Sequence, residues 1–359
     1  MSAARTLAVA AVAAVVALAP VSSAGIDRWF WAGVYPPLQR VVTRITNLVP
    51  LALFDLLLAG TALVVLVSIA RLVRAASRRK PATMLVAAGH LVLCASFLYL
   101  WFAGLWGLNY RKSPIEAVLA LRPGPADAHA VVALGQRAVE QANGLHLAAH
   151  TPGAERAEWR NARLRSSFDA TLSRLGRRSP IEPGRLKHSV IGPYFRWTGV
   201  DGMISPFTLE VLANPDLLPF ERPFVAAHEW GHLAGYADEA EASFVGWVAC
   251  VRADQPSQYS AWLYLLWQIR GEVAPPDRAA LDKALATGPR ADMTAVAERL
   301  RRGAAPTLQR ASWAAYDSYL KANRVEEGVR SYSRVLELLT TAQFEDDWRP
   351  RLRDSKIGS

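Results

Sequence analysis

The chain has 359 residues, enough for a membrane region and one or two domains. It is 52% hydrophobic with a mean hydropathy of +0.11, high for a wholly soluble protein. The net charge of +10 does not argue for nucleic-acid binding, because the arginines are scattered or sit beside apolar spans. The two cysteines, Cys94 in an apolar span and Cys250 far along the chain, exclude a disulfide framework and a C-x-x-C metal site.

Three apolar stretches open the chain. Residues 6–21 follow Arg5 and precede Ser22-Ser23-Ala24, which fits either a cleaved signal peptide or a first transmembrane helix. Two further spans, over 49–73 and 83–107, favour a retained helix. Each of these two exceeds the ~20 apolar residues that cross the hydrocarbon core. Arg71, Arg74, Arg78, Arg79 and Lys80 fill the short loop between them, which places that loop in the cytoplasm and everything after Asn109 outside it. The loop over 25–48 carries Trp29, Phe30, Trp31 and Tyr35 and reads as an amphipathic interfacial piece. Asp55 and His90 are polar residues at or within spans, and both read as structural.

Beyond the membrane, helical spacing predicts a helix over 127–143, with Asp127 as N-cap and Gly144 as its stop. A second helix is predicted over 157–175, closing at Gly176. His129, His146 and His150 lie nearby, and nothing in their spacing pairs them as metal ligands; they read as solvated or structural. From Ser189 the chain becomes β-prone and aromatic. Residues 203–211 suit a short strand ending near Asn214-Pro215, and 207–214 suit a sheet edge able to hold an extended peptide.

Next comes His228-Glu229-Trp230-Gly231-His232, on a helix expected to begin near Pro223 and end at Gly235. Histidines at i and i+4 share a helix face, so His228 and His232 can hold one metal ion, with Glu229 beside it as a general base. Asp238 then caps a second apolar helix. Glu241, three residues on, has a capping-box task available, which leaves Glu239 to face the metal. Further helices are predicted over 259–267, 279–286 and 293–302. Tyr316 and Tyr319 precede Gly328, and the tail from Phe344 is charged and expected to fray.

Together, His228-Glu229-x-x-His232, Gly235-Tyr236-Ala237 and Glu239-x-Glu241-Ala242-x-Phe244 resemble a bacterial membrane family known as domain of unknown function 3810. Supporting segments are residues 106–111, Pro206-Phe207-Thr208-x-Glu210, Tyr319-Leu320-Lys321-x-Asn323 and Gly328-x-x-Ser331-Tyr332, so the resemblance covers nearly the whole chain. Its members look like zincin metallopeptidases of the Glu-liganded, gluzincin kind. That resemblance implies Zn2+ held by His228, His232 and Glu239, with an open position for a water that Glu229 activates. Where the family usually has Asn, this chain has Ser243, a weaker group for orienting a ligand. An oxyanion partner is still needed, and Tyr194, Tyr332 and Arg330 are candidates between which the sequence does not choose.

The expected architecture is mainly α. Transmembrane helices over 1–108 precede an extracytoplasmic zincin-like α+β metallopeptidase domain over 109–359, with a small sheet edge beside the metal helix. The expected function is hydrolysis of peptide (amide) bonds in a peptide or protein substrate at the face of a lipid bilayer, with no nucleic-acid partner. The rival is a catalytically inactive zinc-fold scaffold or binding protein of the cell envelope. An intramembrane protease fits poorly, because Glu221, Arg222, Asp238, Glu239 and Glu241 flank a motif helix too short to span.

Overall fold

The computed structural model describes residues 3–124, 127–151, 160–323 and 334–353. Its first third is helical: α1 (Ala3–Leu18), α2 (Ser23–Gly25), a π-helical stretch (Ile26–Val34), α3 (Tyr35–Leu48), α4 (Leu53–Ser77) and α5 (Pro81–Leu105). Two of these, α4 and α5, are long and apolar enough to cross a membrane. They pack on each other and leave Leu56, Leu63 and Leu66 of α4 and Leu85, Val86 and Phe97 of α5 exposed, an apolar surface suited to lipid. The first span has only 16 residues as α1. It lies along α5 and counts as a span only when joined, across a 111° bend, to Ser23–Leu48.

Most of the aromatics over 25–48 are not spent on a membrane interface. Trp29 is exposed, but the Trp31 indole nitrogen donates to the Ala234 carbonyl at 3.0 Å and the Tyr35 hydroxyl donates to the Leu233 carbonyl at 2.9 Å. Burial against the domain decides where these side chains point. Gln39 and Thr43, both buried, continue the seam by donating to the Glu182 and Leu209 carbonyls.

A carboxylate ties α4 to the domain. Buried Glu210 accepts from the backbone nitrogens of Leu53 and Phe54, at 2.9 Å each, so a distant side chain satisfies the open N-terminus of the helix. Lys187 Nζ pairs with the same carboxylate at 2.6 Å and also donates to the Thr46 carbonyl. Asp55 has a comparable structural task, accepting from Ser189 and from the Val190 nitrogen.

The remainder comprises α6 (Ala128–Ala149), α7 (Ala162–Arg174), β1 (Leu186–Lys187), α8 (Gly192–Thr198), β2 (Gly202–Ile204), β3 (Val211–Ala213), α9 (Arg222–Leu233), α10 (Glu239–Val251), α11 (Gln255–Glu272), α12 (Pro275–Ala284), α13 (Thr287–Gly303), α14 (Pro306–Ala322) and α15 (Arg334–Thr341). Every residue of α10 is buried, as its apolar sequence on all sides requires. It forms the axis around which α7, α9, α11 and α15 pack.

Four expectations change here. Asp127 caps α6, but Gly144 does not end it: α6 packs along α11 and buries Leu145, and that burial outweighs the ~1 kcal/mol helix cost of a glycine. Most of the β-prone stretch from 189 is α8, started by Gly192-Pro193 and closed by Gly199 at φ +72°. The strand expected over 203–211 divides into the antiparallel pair β2 and β3, and β1 lies parallel to β3. Sheet order is β1-β3-β2, so β3 is central and the edge beside α9 is β2, not 207–214. Finally, the tail does not fray before 353. Phe344 and Trp348 pack on Trp247, and Leu352 bridges to Leu119.

Candidate metal centre

Helix α9 begins with Pro223 in its first turn and stops at Gly235, whose φ of +88° reverses the chain. Asp238 then starts α10 by accepting from the Ala240 and Glu241 nitrogens. Two glycines let the helices meet at backbone distance. A Cβ on Gly231 would sit 2.9 Å from Ala242 Cα, and one on Gly246 would sit 2.8 Å from the His228 nitrogen. This close crossing swings the first turn of α10 over the histidine face of α9.

As a result one carboxylate oxygen, Glu239 Oε2, lies 3.3 Å from Nε2 of His228 and 3.3 Å from Nε2 of His232. The three form a group able to hold a metal ion. Their other atoms are already engaged. His232 Nδ1 donates to the Tyr236 carbonyl at 2.8 Å, which leaves Nε2 as the lone-pair nitrogen. His228 Nδ1 is 3.1 Å from Ser243 Oγ, which in turn accepts from Tyr264 at 3.2 Å. Ser243 thus orients a histidine, with a tyrosine behind it. The second oxygen of Glu239 accepts the Tyr316 hydroxyl at 2.5 Å.

The charge balance favours a cation. Burial opposes ionisation of Glu239, yet the facing imidazoles hold its carboxyl well below the usual carboxylate range. Burial likewise disfavours a charged His232, and Glu239 outweighs it, raising the imidazole to about 9. Two imidazoles facing one buried carboxylate therefore attract positive charge, whether carried by a proton or by a metal.

Glu229 is buried beside them, and burial pushes its carboxyl up to about 7. Its Oε2 is buried without a hydrogen-bond partner, which costs energy unless something polar occupies the site. Gly202 of β2 makes room for it: a Cβ there would fall 2.8 Å from Glu229 Oε1. His228 and Glu229 line two cavities. The smaller, about 340 Å3, extends towards Tyr264, Trp267 and Arg299. The larger, about 810 Å3, is walled by His232, Glu239, Met203 and Ile204 on the domain side and by Ala17, Phe54, Leu98 and Phe102 of the apolar helices.

Glu241 does not complete a capping box. It turns away from the site and accepts from Lys112 Nζ at 2.9 Å and from the Ile115 nitrogen at 2.6 Å. Tyr194 lines the larger cavity and bonds to Ser312, while Arg330 and Tyr332 lie outside the described residues. Tyr316 was not singled out in the sequence as a site residue; its signal is the i, i+3 spacing with Tyr319 on one helix face. Trp106, just past the end of α5, also reaches the site: its indole nitrogen donates to the His232 carbonyl at 3.0 Å. His129 is exposed as expected, but His146 and His150 are paired, converging on Asp292 as a second group able to hold a metal.

A family model described as "Protein of unknown function (DUF3810)" matches residues 30–340. No curated protein and no solved structure matches the chain.

Proposed function

The chain belongs to the DUF3810 family, and we propose that it is a membrane-anchored zinc metallopeptidase that hydrolyses peptide (amide) bonds. The observation that carries this reading is the single Glu239 oxygen 3.3 Å from both histidine Nε2 atoms, with the buried, unpartnered Oε2 of Glu229 alongside. Zinc bound by His228, His232 and Glu239 would supply a Lewis acid that polarises a carbonyl and acidifies water. The chain's own groups do the rest. Tyr236, Ser243 and Tyr316 keep the ligands in place, and Glu229 takes a proton from water and returns it to the leaving amine.

An extended peptide fits against β2, the edge strand, where Met203 and Ile204 line the larger cavity and Gly202 abuts Glu229. The apolar helices form the opposite wall, so the scissile bond would lie close to the membrane face. The basic loop over 71–80 is at the far end of α4 and α5, ~37 Å of helix away. The positive-inside rule then puts the domain outside the cytoplasm.

The test compares wild type with Glu229→Gln in membranes, reading envelope peptides by mass spectrometry and bound zinc by elemental analysis. The variant should keep its metal and lose turnover. Undiminished cleavage would remove Glu229 as the base. Identical peptide patterns with full zinc occupancy would favour the inactive scaffold.

A further inference from the structure

On α6, His146 and His150 stand one turn apart, with ring centroids 4.3 Å apart. Their Nε2 atoms lie 3.5 Å and 3.3 Å from the same oxygen, Asp292 Oδ2, on α13. His150 Nδ1 is 2.9 Å from the His146 carbonyl, an atom that can only accept, so the Nδ1 proton is committed there. A neutral His150 ring therefore presents a lone pair at Nε2 towards a carboxylate oxygen. Two acceptors then face each other, and the contact is satisfied by positive charge between them, either a proton that makes the ring an imidazolium or a metal ion.

The surroundings are built for such an ion. Gly288, one turn before Asp292, leaves bare backbone where His146 lies; a Cβ there would come within 2.4 Å of the ring. The buried Tyr259 hydroxyl donates to Asp292 Oδ2 and fixes that carboxylate from α11. Asp292 is itself buried, whereas the His146 and His150 side chains are 22% and 37% exposed, so an ion can enter from solvent. Tetrahedral ligands at bond lengths of ~2.0–2.1 Å sit roughly 3.3 Å apart, close to the 3.5 Å and 3.3 Å between each imidazole and Asp292.

We propose that His146, His150 and Asp292 bind a second divalent transition-metal ion of the zinc class, separate from the ion at His228, His232 and Glu239. Two imidazoles select against calcium and magnesium, which prefer all-oxygen sites. The ion pins α6 to α13, with Tyr259 of α11 behind it. On α13 the same helix face continues to Arg299, which pairs with Glu221 at the start of α9 and with Asp201 before β2. The second ion is thus a brace for one wall of the smaller cavity, and it does not rest on the peptidase reading.

The test uses the full chain in detergent, stripped with a chelator and titrated with Zn2+ alone. The wild type should take up two zinc ions, and His150→Ala, altering an exposed ring, one. His228→Ala/His232→Ala should also take up one, and the combination of all three substitutions none. In the His228→Ala/His232→Ala background, Cu2+ should show nitrogen hyperfine structure in its paramagnetic resonance spectrum, and His150→Ala should remove it. If His150→Ala proves unstable, His150→Gln takes its place. The proposal is overturned if zinc stoichiometry and the copper spectrum ignore His150, or if the His228→Ala/His232→Ala protein takes up no zinc. Failure of the first site alone would instead leave one ion that depends on His150.

Discussion

The backbone nitrogen of His228 lies so close to Gly246 that a methyl group on that glycine would come within 2.8 Å of it. The metal helix and the helix after it touch main chain to main chain, and Gly231 against Ala242 repeats the arrangement one turn on. A centre whose third ligand comes from a neighbouring helix depends on the distance between the two helices. Here that distance is set by missing side chains.

Gly246→Ala should therefore act on both stability and metal. Overpacking of this kind costs about 1–3 kcal/mol, and any relief by separating the helices carries Glu239 away from the histidines. The expected outcome is a lower melting temperature in detergent together with weaker zinc retention against a chelator. Gly271→Ala, at a position in α11 with open space around it, is the control; it should leave zinc retention unchanged and hold or raise the melting temperature. Equal zinc retention in the two variants would show that the crossing does not set ligand spacing.

Tyr316→Phe removes the hydroxyl that donates to Glu239 at 2.5 Å and leaves the ring in place. Loss of a group that orients a ligand typically costs about 10–100-fold in metal affinity or activity. Zinc affinity measured by chelator competition should fall by roughly that factor, with a modest drop in the melting temperature of the metal-free protein from the lost hydrogen bond to a charged group. A variant with wild-type affinity would mean that Glu239 is held by its histidine neighbours alone.

The grouping of His228, His232 and Glu239 was legible because it is local. A four-residue helical repeat places His228 with His232, and a turn of fixed chemistry from Gly235 to Asp238 delivers Glu239. What the sequence concealed is long-range. Trp31 and Tyr35 look like interfacial aromatics until Ala234 and Leu233 supply carbonyls some two hundred residues later. His146 and His150 look unpaired until α13 brings Asp292 to them. The strand expected at the edge proved central, because β1, only two residues long, pairs with it from a segment with no strand signal. Membrane spans were read from composition, which gives α4 and α5 directly but not the bend after α1.

Glu210→Gln would leave Lys187 buried without its counter-charge and weaken the cap on α4. Breaking one side of a buried pair costs about 3–5 kcal/mol. Thermal melts of the detergent-solubilised protein should show a large drop. Adding Lys187→Met to Glu210→Gln should recover part of it, since no unpaired charge then remains. If the double variant is as unstable as the single one, the cap on α4 carries the energy and the ion pair does not.

Glu239 and Glu241 are separated by a single residue, on one buried helix turn, and should nevertheless fail in opposite ways. Glu239 faces the histidines, and a carboxylate there opposes its own burial unless a cation is present. Glu239→Gln should release zinc from this centre and cost the metal-free protein some stability at neutral pH, because its carboxylate pairs with His232 there. Glu241 holds Lys112, which also lies 4.6 Å from the centre of the Tyr236 ring, and it anchors the Ile115 nitrogen where the chain leaves the last apolar helix. Glu241→Gln leaves the Lys112 charge buried and should cost about 3–5 kcal/mol, with zinc still bound at low temperature. Elemental analysis and thermal melts on the two variants separate the roles. Loss of zinc in Glu241→Gln with retention in Glu239→Gln would transfer the ligand assignment to the other glutamate.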